Sequence, residues 1–210
     1  MTSTNRLGAA SFIVAGVLYI VNFGFLLVIG EPPSAGENLL RLVNQQKLLG
    51  QTIFIVFFII DILLISSILA LLVALRKSDN GFSLIGGVLA VASLTIDLVN
   101  TILAYAIIGL SQAYSTSTIE ARRVAYAVSA EVLSQITFDV GTRFFMILFS
   151  ISTLILASAM LKQNFGRSAG YLGVVAGLAG IAAGLSGFIF ASIPWAVWFL
   201  AVGYRLWKLD

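Results

Sequence analysis

Residues Leu48 to Leu75 read LLGQTIFIVFFIIDILLISSILALLVAL, and Asp61 is the one ionisable side chain among them. A hydrocarbon core about 30 Å thick is crossed by about 20 apolar residues in a helix rising 1.5 Å per residue. Inside lipid the backbone must satisfy its own hydrogen bonds, so a run of this kind is helical. The rest of the chain repeats the pattern. Of 210 residues, 60% are hydrophobic and 10% charged, a balance that gives every long segment an apolar surface all round.

The expected fold is all-α, a polytopic transmembrane helical bundle formed by a single domain over residues 1–210. Six spans are expected at about 8–29, 48–75, 81–110, 136–161, 169–190 and 194–207. The first is longer than a secretory h-region and lacks a prompt small-x-small cleavage site, so it reads as a span. Two short amphipathic helices, about 35–47 and 118–135, are expected on the outer side, either as a small cap or lying in the interfacial plane. Ser34 with Glu37 and Ser117 with Glu120 have the S-x-x-E form of a capping box. Six spans put both termini on one side. Arg6, Arg76, Lys77, Lys162, Arg167, Arg205 and Lys208 gather there, which makes that side cytoplasmic and the protein a multi-pass component of the cell membrane. Trp195 and Trp198, with Tyr204 and Trp207, fit aromatic belts at the two interfaces.

Cysteine and histidine are both absent. That excludes disulfides, thiolate chemistry, haem ligation through these residues and ordinary zinc sites. A sequence pI of about 9.4 comes from basic residues scattered over short loops, which suits lipid head groups rather than nucleic acid. No nucleophile elbow and no phosphate-cradling loop is present. The expectation is therefore a protein that is not an enzyme and holds no cofactor or metal, with the lipid bilayer as its partner.

The segment SAEVLSQITFDVGTRFF, Ser129 to Phe145, sets Glu131, Gln135, Asp139 and Arg143 four residues apart, one polar stripe on a helix. Ionisable groups inside lipid are costly and usually face a bundle interior or an aqueous cavity. Asp61, Asp97 and Arg143 fall about 21, 24 and 28 Å from the inner ends of their spans at 1.5 Å per residue. Asn22 and Asn100 lie near the same depth. The predicted arrangement is a shared polar plane in which Arg143 is the buried counter-ion of aspartates on other helices. Such a plane either fixes helix register through a buried salt-bridge network or forms an ion path. Three carboxylates against one guanidinium cannot all ionise comfortably at low dielectric, which makes one of them a candidate proton carrier. Na⁺ held with help from Asn22 and Asn100 is the other candidate cargo.

Gly170, Gly173, Gly177, Gly180, Gly184 and Gly187 recur at three- and four-residue intervals. One face of the fifth span is then bare backbone, suited to close helix approach inside the bundle, or to a homo-oligomer or other subunits of a membrane complex.

Two stretches, ENLLRLVNQQKLLGQ from Glu37 and ILASAMLKQNFGRSAGYLGVVAGLAGI from Ile155, together with the acid Asp61 in the second span, resemble a family of prokaryotic six-span membrane proteins catalogued as a domain of unknown function. That family typically carries an aromatic residue before the arginine, where Leu40 precedes Arg41 here. The resemblance implies a six-helix fold and no activity. Two functions are expected from the residues: an accessory or structural subunit of a membrane assembly, or a small proton- or cation-translocating transporter or channel using the intramembrane Asp and Arg residues.

Overall fold

The computed structural model describes residues 3–29, 36–75, 80–162 and 165–208. Its elements are α1 (Ser3–Ile29), α2 (Gly36–Gln45), α3 (Lys47–Leu75), α4 (Asn80–Thr116), α5 (Glu120–Ser134), a π-helical segment (Gln135–Gly141), α6 (Thr142–Lys162), α7 (Arg167–Ser186), a 3₁₀ turn (Ile189–Ser192) and α8 (Pro194–Trp207). Six segments are long and apolar enough to cross a membrane: α1, α3, α4, α5 through α6, α7, and the 3₁₀ turn with α8. The protein is an all-helical, multi-pass integral membrane protein. Leu69, Val73, Val88, Val140, Val175 and Leu185 are among the large apolar side chains exposed on its surface, as a lipid-facing perimeter requires.

The six spans form a closed ring in which α1 packs on α3, α3 on α4, α4 on α6, α6 on α7, α7 on α8, and α8 back on α1. Aromatic side chains fill its centre. Phe12, Phe149, Trp195, Trp198 and Phe199 are fully buried there, with Phe149 and Trp195 edge to face at 5.1 Å between ring centres. Both tryptophans were expected at an interface. They are core residues instead, because α8 presents them to the bare face of α7. Tyr204 and Trp207 remain exposed.

The glycines of α7 set that closeness. A Cβ at Gly177 would lie 2.6 Å from Leu154 Cγ and 3.0 Å from the Ser150 carbonyl oxygen, both on α6. One at Gly173 would lie 2.7 Å from both Ala157 Cβ and Trp198 Nε1. Gly170, Gly180 and Gly184 meet α6 or α8 in the same way. Gly187 departs from the expected face. It ends α7 in the left-handed region, at φ +76, where a residue without Cβ is unstrained. The fifth span therefore stops at Ser186, and Phe188 to Phe190 lead into the sixth.

The third span runs beyond its expected end at 110 to Thr116, and the fourth is nearly continuous with α5 through the π-helical segment. The α5 capping box does not form. Helix α5 opens at Glu120 with Ile119 as N-cap and no side-chain cap, so Glu120 sits at the first helical position rather than the third. The Ser117 hydroxyl accepts the Ile119 N–H at 3.4 Å. Ser34 of the other expected box lies outside the described residues.

Helix α2 packs on α4 and α5, and together they form a cap on one side of the ring. Leu39 and Leu40 bury against Ile107, Tyr114 and Ala130. Ser111 donates to the Leu40 carbonyl at 2.8 Å. Arg123 donates to the Tyr114 hydroxyl at 2.9 Å and stacks over its ring at 4.6 Å. Glu37 carries a carboxyl held below its ordinary value by the Tyr114 hydroxyl and then by Arg41, whose guanidinium is 2.6 Å away. Helix α2 is thus fastened to the bundle through α4 and α5.

Replacing Gly177 with Leu forces α7 away from α6, and overpacking of this kind costs about 1 to 3 kcal/mol. Thermal unfolding in mild detergent should show a lowered midpoint for Gly177→Leu. Gly24→Leu, at a position where a Cβ meets nothing within 4 Å, should leave it unchanged.

Candidate functional site

The ring is not filled to its cap end. Between α1, α3, α4, the π-helical segment and α8 lies a cavity of about 730 Å³, with α2 across its mouth. Leu39, Leu42, Val43 and Gln46 line the cap end, and Leu64, Phe149, Trp195 and Phe199 line the deep end. Three helices contribute aromatic pairs spaced four residues apart: Tyr19 with Phe23, Phe145 with Phe149, and Trp195 with Phe199. Each pair stacks along one helix face turned inward. The volume lies in the range of small-molecule sites, about 300 to 1,000 Å³, and so does the mixture of apolar wall and few polar groups.

Asp61 is 1% exposed and lines the cavity from α3. Its Oδ2 is buried with no hydrogen-bond partner. Asp97, half-buried on α4, lines the same cavity within electrostatic reach of Asp61. Tyr19 lies close enough to feel both carboxylates, and its hydroxyl is fixed by Ser192 Oγ at 3.0 Å. Asn100 follows one turn after Asp97, packed against the backbone of Gly141, with Nδ2 buried and unpartnered.

Arg143 does not occupy the expected place. Its ion pair is with Asp139 at 3.9 Å, and the two side chains are 46% and 66% exposed. Its guanidinium rests against Gly187 at the C-terminal end of α7, where helix carbonyls favour a cation. Arg143 and Asp139 belong to the cavity rim, and among the described residues no ion pair joins Arg143 to Asp61 or Asp97.

The stripe keeps its local pairing but faces outward, and its middle runs through the wider i→i+5 turn of Gln135–Gly141. Gln135 and Asp139 are exposed, and Glu131 is half-buried on α5. The displaced backbone is satisfied locally. Thr142 gives both its N–H and its hydroxyl to the Thr137 carbonyl, the hydroxyl at 2.9 Å. Asn22 is also apart from the plane: fully buried on α1, it donates to the Ile53 carbonyl at 3.4 Å and does not line the cavity. Of the eight polar candidates, the structure brings Asp61, Asp97, Asn100, Asp139 and Arg143 to one cavity.

The aromatic walls and Thr101 and Thr137 complete the site, and the sequence reading did not single them out. The four-residue aromatic spacing was a usable signal for the walls. No protein-family model, curated protein or solved structure matches this chain.

A buried counter-ion would cost about 3 to 5 kcal/mol on removal, whereas an exposed pair contributes at most about 1 kcal/mol. Arg143→Met should accordingly change the unfolding free energy in detergent by no more than about 1 kcal/mol. A loss near the larger figure would return Arg143 to the buried network.

Proposed function

We propose that the protein is a non-catalytic carrier that binds a proton or a cation at Asp61 and Asp97 and moves it across the membrane. The observation that carries this reading is the unpartnered carboxylate of Asp61 in a cavity it shares with Asp97. A carboxylate in a low-dielectric site needs a neutralising partner, and among the described residues no cation pairs with Asp61 or Asp97. A bound proton or cation is the remaining source of that charge.

The deep end favours a carrier over an open pore, since the side chains of Phe12, Phe149, Trp198 and Phe199 are fully buried there. Access from the far side then needs the helices to shift. The π-helical segment is a suitable place for the change, as such segments interrupt the regular ladder and recur at functional sites. The alternative role as an accessory subunit drew on the glycine face of α7, and α6 and α8 already occupy that face. Membership of the six-span family resembled by the sequence is part of the same proposal and adds no activity to it.

Purified protein in lipid vesicles loaded with pyranine tests the carrier. An imposed potential should drive Asp61-dependent acidification, slowed about tenfold or more in Asp61→Asn and Asp97→Asn, given about 1.5 to 3 kcal/mol for a charged contact. Equal rates in all three proteins, for acidification and for uptake of sodium-22 and tritiated tetraethylammonium, each with an unchanged melting point, would overturn the reading.

The orientation we propose has both termini cytoplasmic and the cap outside, from the excess of Lys and Arg on the terminal side. Thr116→Cys in this cysteine-free chain should react with an impermeant thiol reagent on intact cells. Labelling only after the cells are opened would invert the orientation.

A further inference from the structure

We infer that the cation taken into the cap-side cavity is a lipophilic organic cation, a charged centre carrying aromatic or alkyl bulk, rather than a bare metal ion. The inference rests on the carrier reading and names its cargo class. Three features of the cavity lead to it.

The first is size. A cavity of about 730 Å³ matches a drug-sized molecule and far exceeds a single dehydrated ion. The second is the wall. Among the rings that line the cavity with the two carboxylates, Phe54, Phe57 and Phe190 are half-buried, and Tyr19, Phe23 and Phe145 keep 5 to 7% of their surface exposed. The pairs Tyr19–Phe23 and Phe145–Phe149 have ring centres 4.8 and 5.6 Å apart, so the surface they offer is continuous. Ring faces attract an organic cation and its apolar substituents together. A bare Ca²⁺ would need about six to eight oxygens in place of its water. Among the described residues no group of three or more acidic side chains is placed to hold a metal ion.

The third is charge. The charged side chains lining the cavity are Asp61, Asp97, Asp139 and Arg143. Arg143 pairs with Asp139 at the rim, and among the described residues no cation pairs with Asp61 or Asp97 inside. Asp61 is 1% exposed with Oδ2 unpartnered, an acidic group set at an apolar wall. That combination favours a cation with its own hydrophobic coat, whose desolvation cost is small.

Binding of tritiated tetraphenylphosphonium to the purified protein in mild detergent tests the cargo class. Its charge is permanent and shielded by four rings, and triphenylphosphine oxide is a neutral aromatic control. Saturable binding of the phosphonium is expected, displaced poorly by the neutral control and by excess sodium chloride. Asp61→Asn should weaken it about tenfold, as expected on removing one partner of a desolvated charge pair. Phe57→Leu, which keeps apolar bulk and removes the ring, should weaken it about threefold, given about 0.5 to 1 kcal/mol for a cation–π contact. Asp97→Asn stands in if Asp61→Asn fails to fold, and the neutral-control and sodium comparisons need no variant. No saturable binding, or equal binding of the neutral control, overturns the inference. Should Asp61-dependent acidification of vesicles persist in that case, the carrier reading survives with a different cargo. Asp61-dependent phosphonium binding without Asp61-dependent acidification and without Asp61-dependent vesicle uptake of tritiated 1-methyl-4-phenylpyridinium keeps the cargo class and removes translocation.

Discussion

The close approach of α7 to its neighbours is the contact on which the ring depends. Between helices in lipid no hydrophobic driving force operates, so association relies on van der Waals contact at short range. The alternating three- and four-residue glycine spacing of α7 supplies that contact along most of its length. The backbone of α6 comes near enough that a Cβ at Gly184 would stand 3.1 Å from the Arg143 carbonyl. On the adjoining side the same absence of side chains admits the indoles of Trp195 and Trp198. Since α8 must then pack back on α1, the glycine face is what allows the ring to close and the aromatic core to lie inside it.

Ring closure also determines where space is left over. The aromatic residues crowd the middle of the bundle, while at the cap end Gly141 of the π-helical turn packs against Asn100 of α4. Native proteins leave few buried polar atoms without partners. Among the described residues nine buried side-chain atoms lack a partner, and four of them, Gln46 Oε1, Asp61 Oδ2, Asn100 Nδ2 and Trp195 Nε1, belong to residues that line the cavity.

The architecture was legible because a spanning helix has a compositional signature that tertiary context scarcely changes. The six segments in Leu48–Leu75 and its counterparts follow from length and apolarity alone. The polar stripe kept its pairing of Asp139 with Arg143 but not its inward direction, because the face a helix turns to the bundle is set by its neighbours rather than by its own residues. Trp195 and Trp198 were misread because tryptophan near the end of a span suits an interface equally well, and only the adjoining glycine face of α7 decides between the two. Asp61 was legible as an exception within an apolar run. Its company was not: which helices face one another depends on ring order, and ring order is a property of packing.

Carboxylates without an internal counter-ion tie the stability of the bundle to whatever neutralises them. Leaving Asp61 and Asp97 charged and empty opposes folding, whereas a proton or cation bound there contributes its binding free energy to the folded state and not to the unfolded one. The cap limits access to that site. Helix α2 turns Leu40 towards α4, anchored by Ser111, and Leu42 and Val43 towards the cavity, so one short helix is both fastened to the cap and placed over the mouth. An occupant entering from the cap side must pass these apolar side chains before reaching a carboxylate. Bare ions are disfavoured at that step by the water they would have to shed, while a cation shielded by its own hydrocarbon crosses a wall of its own polarity. On the reading proposed above, entry barrier and binding site select for the same chemical class.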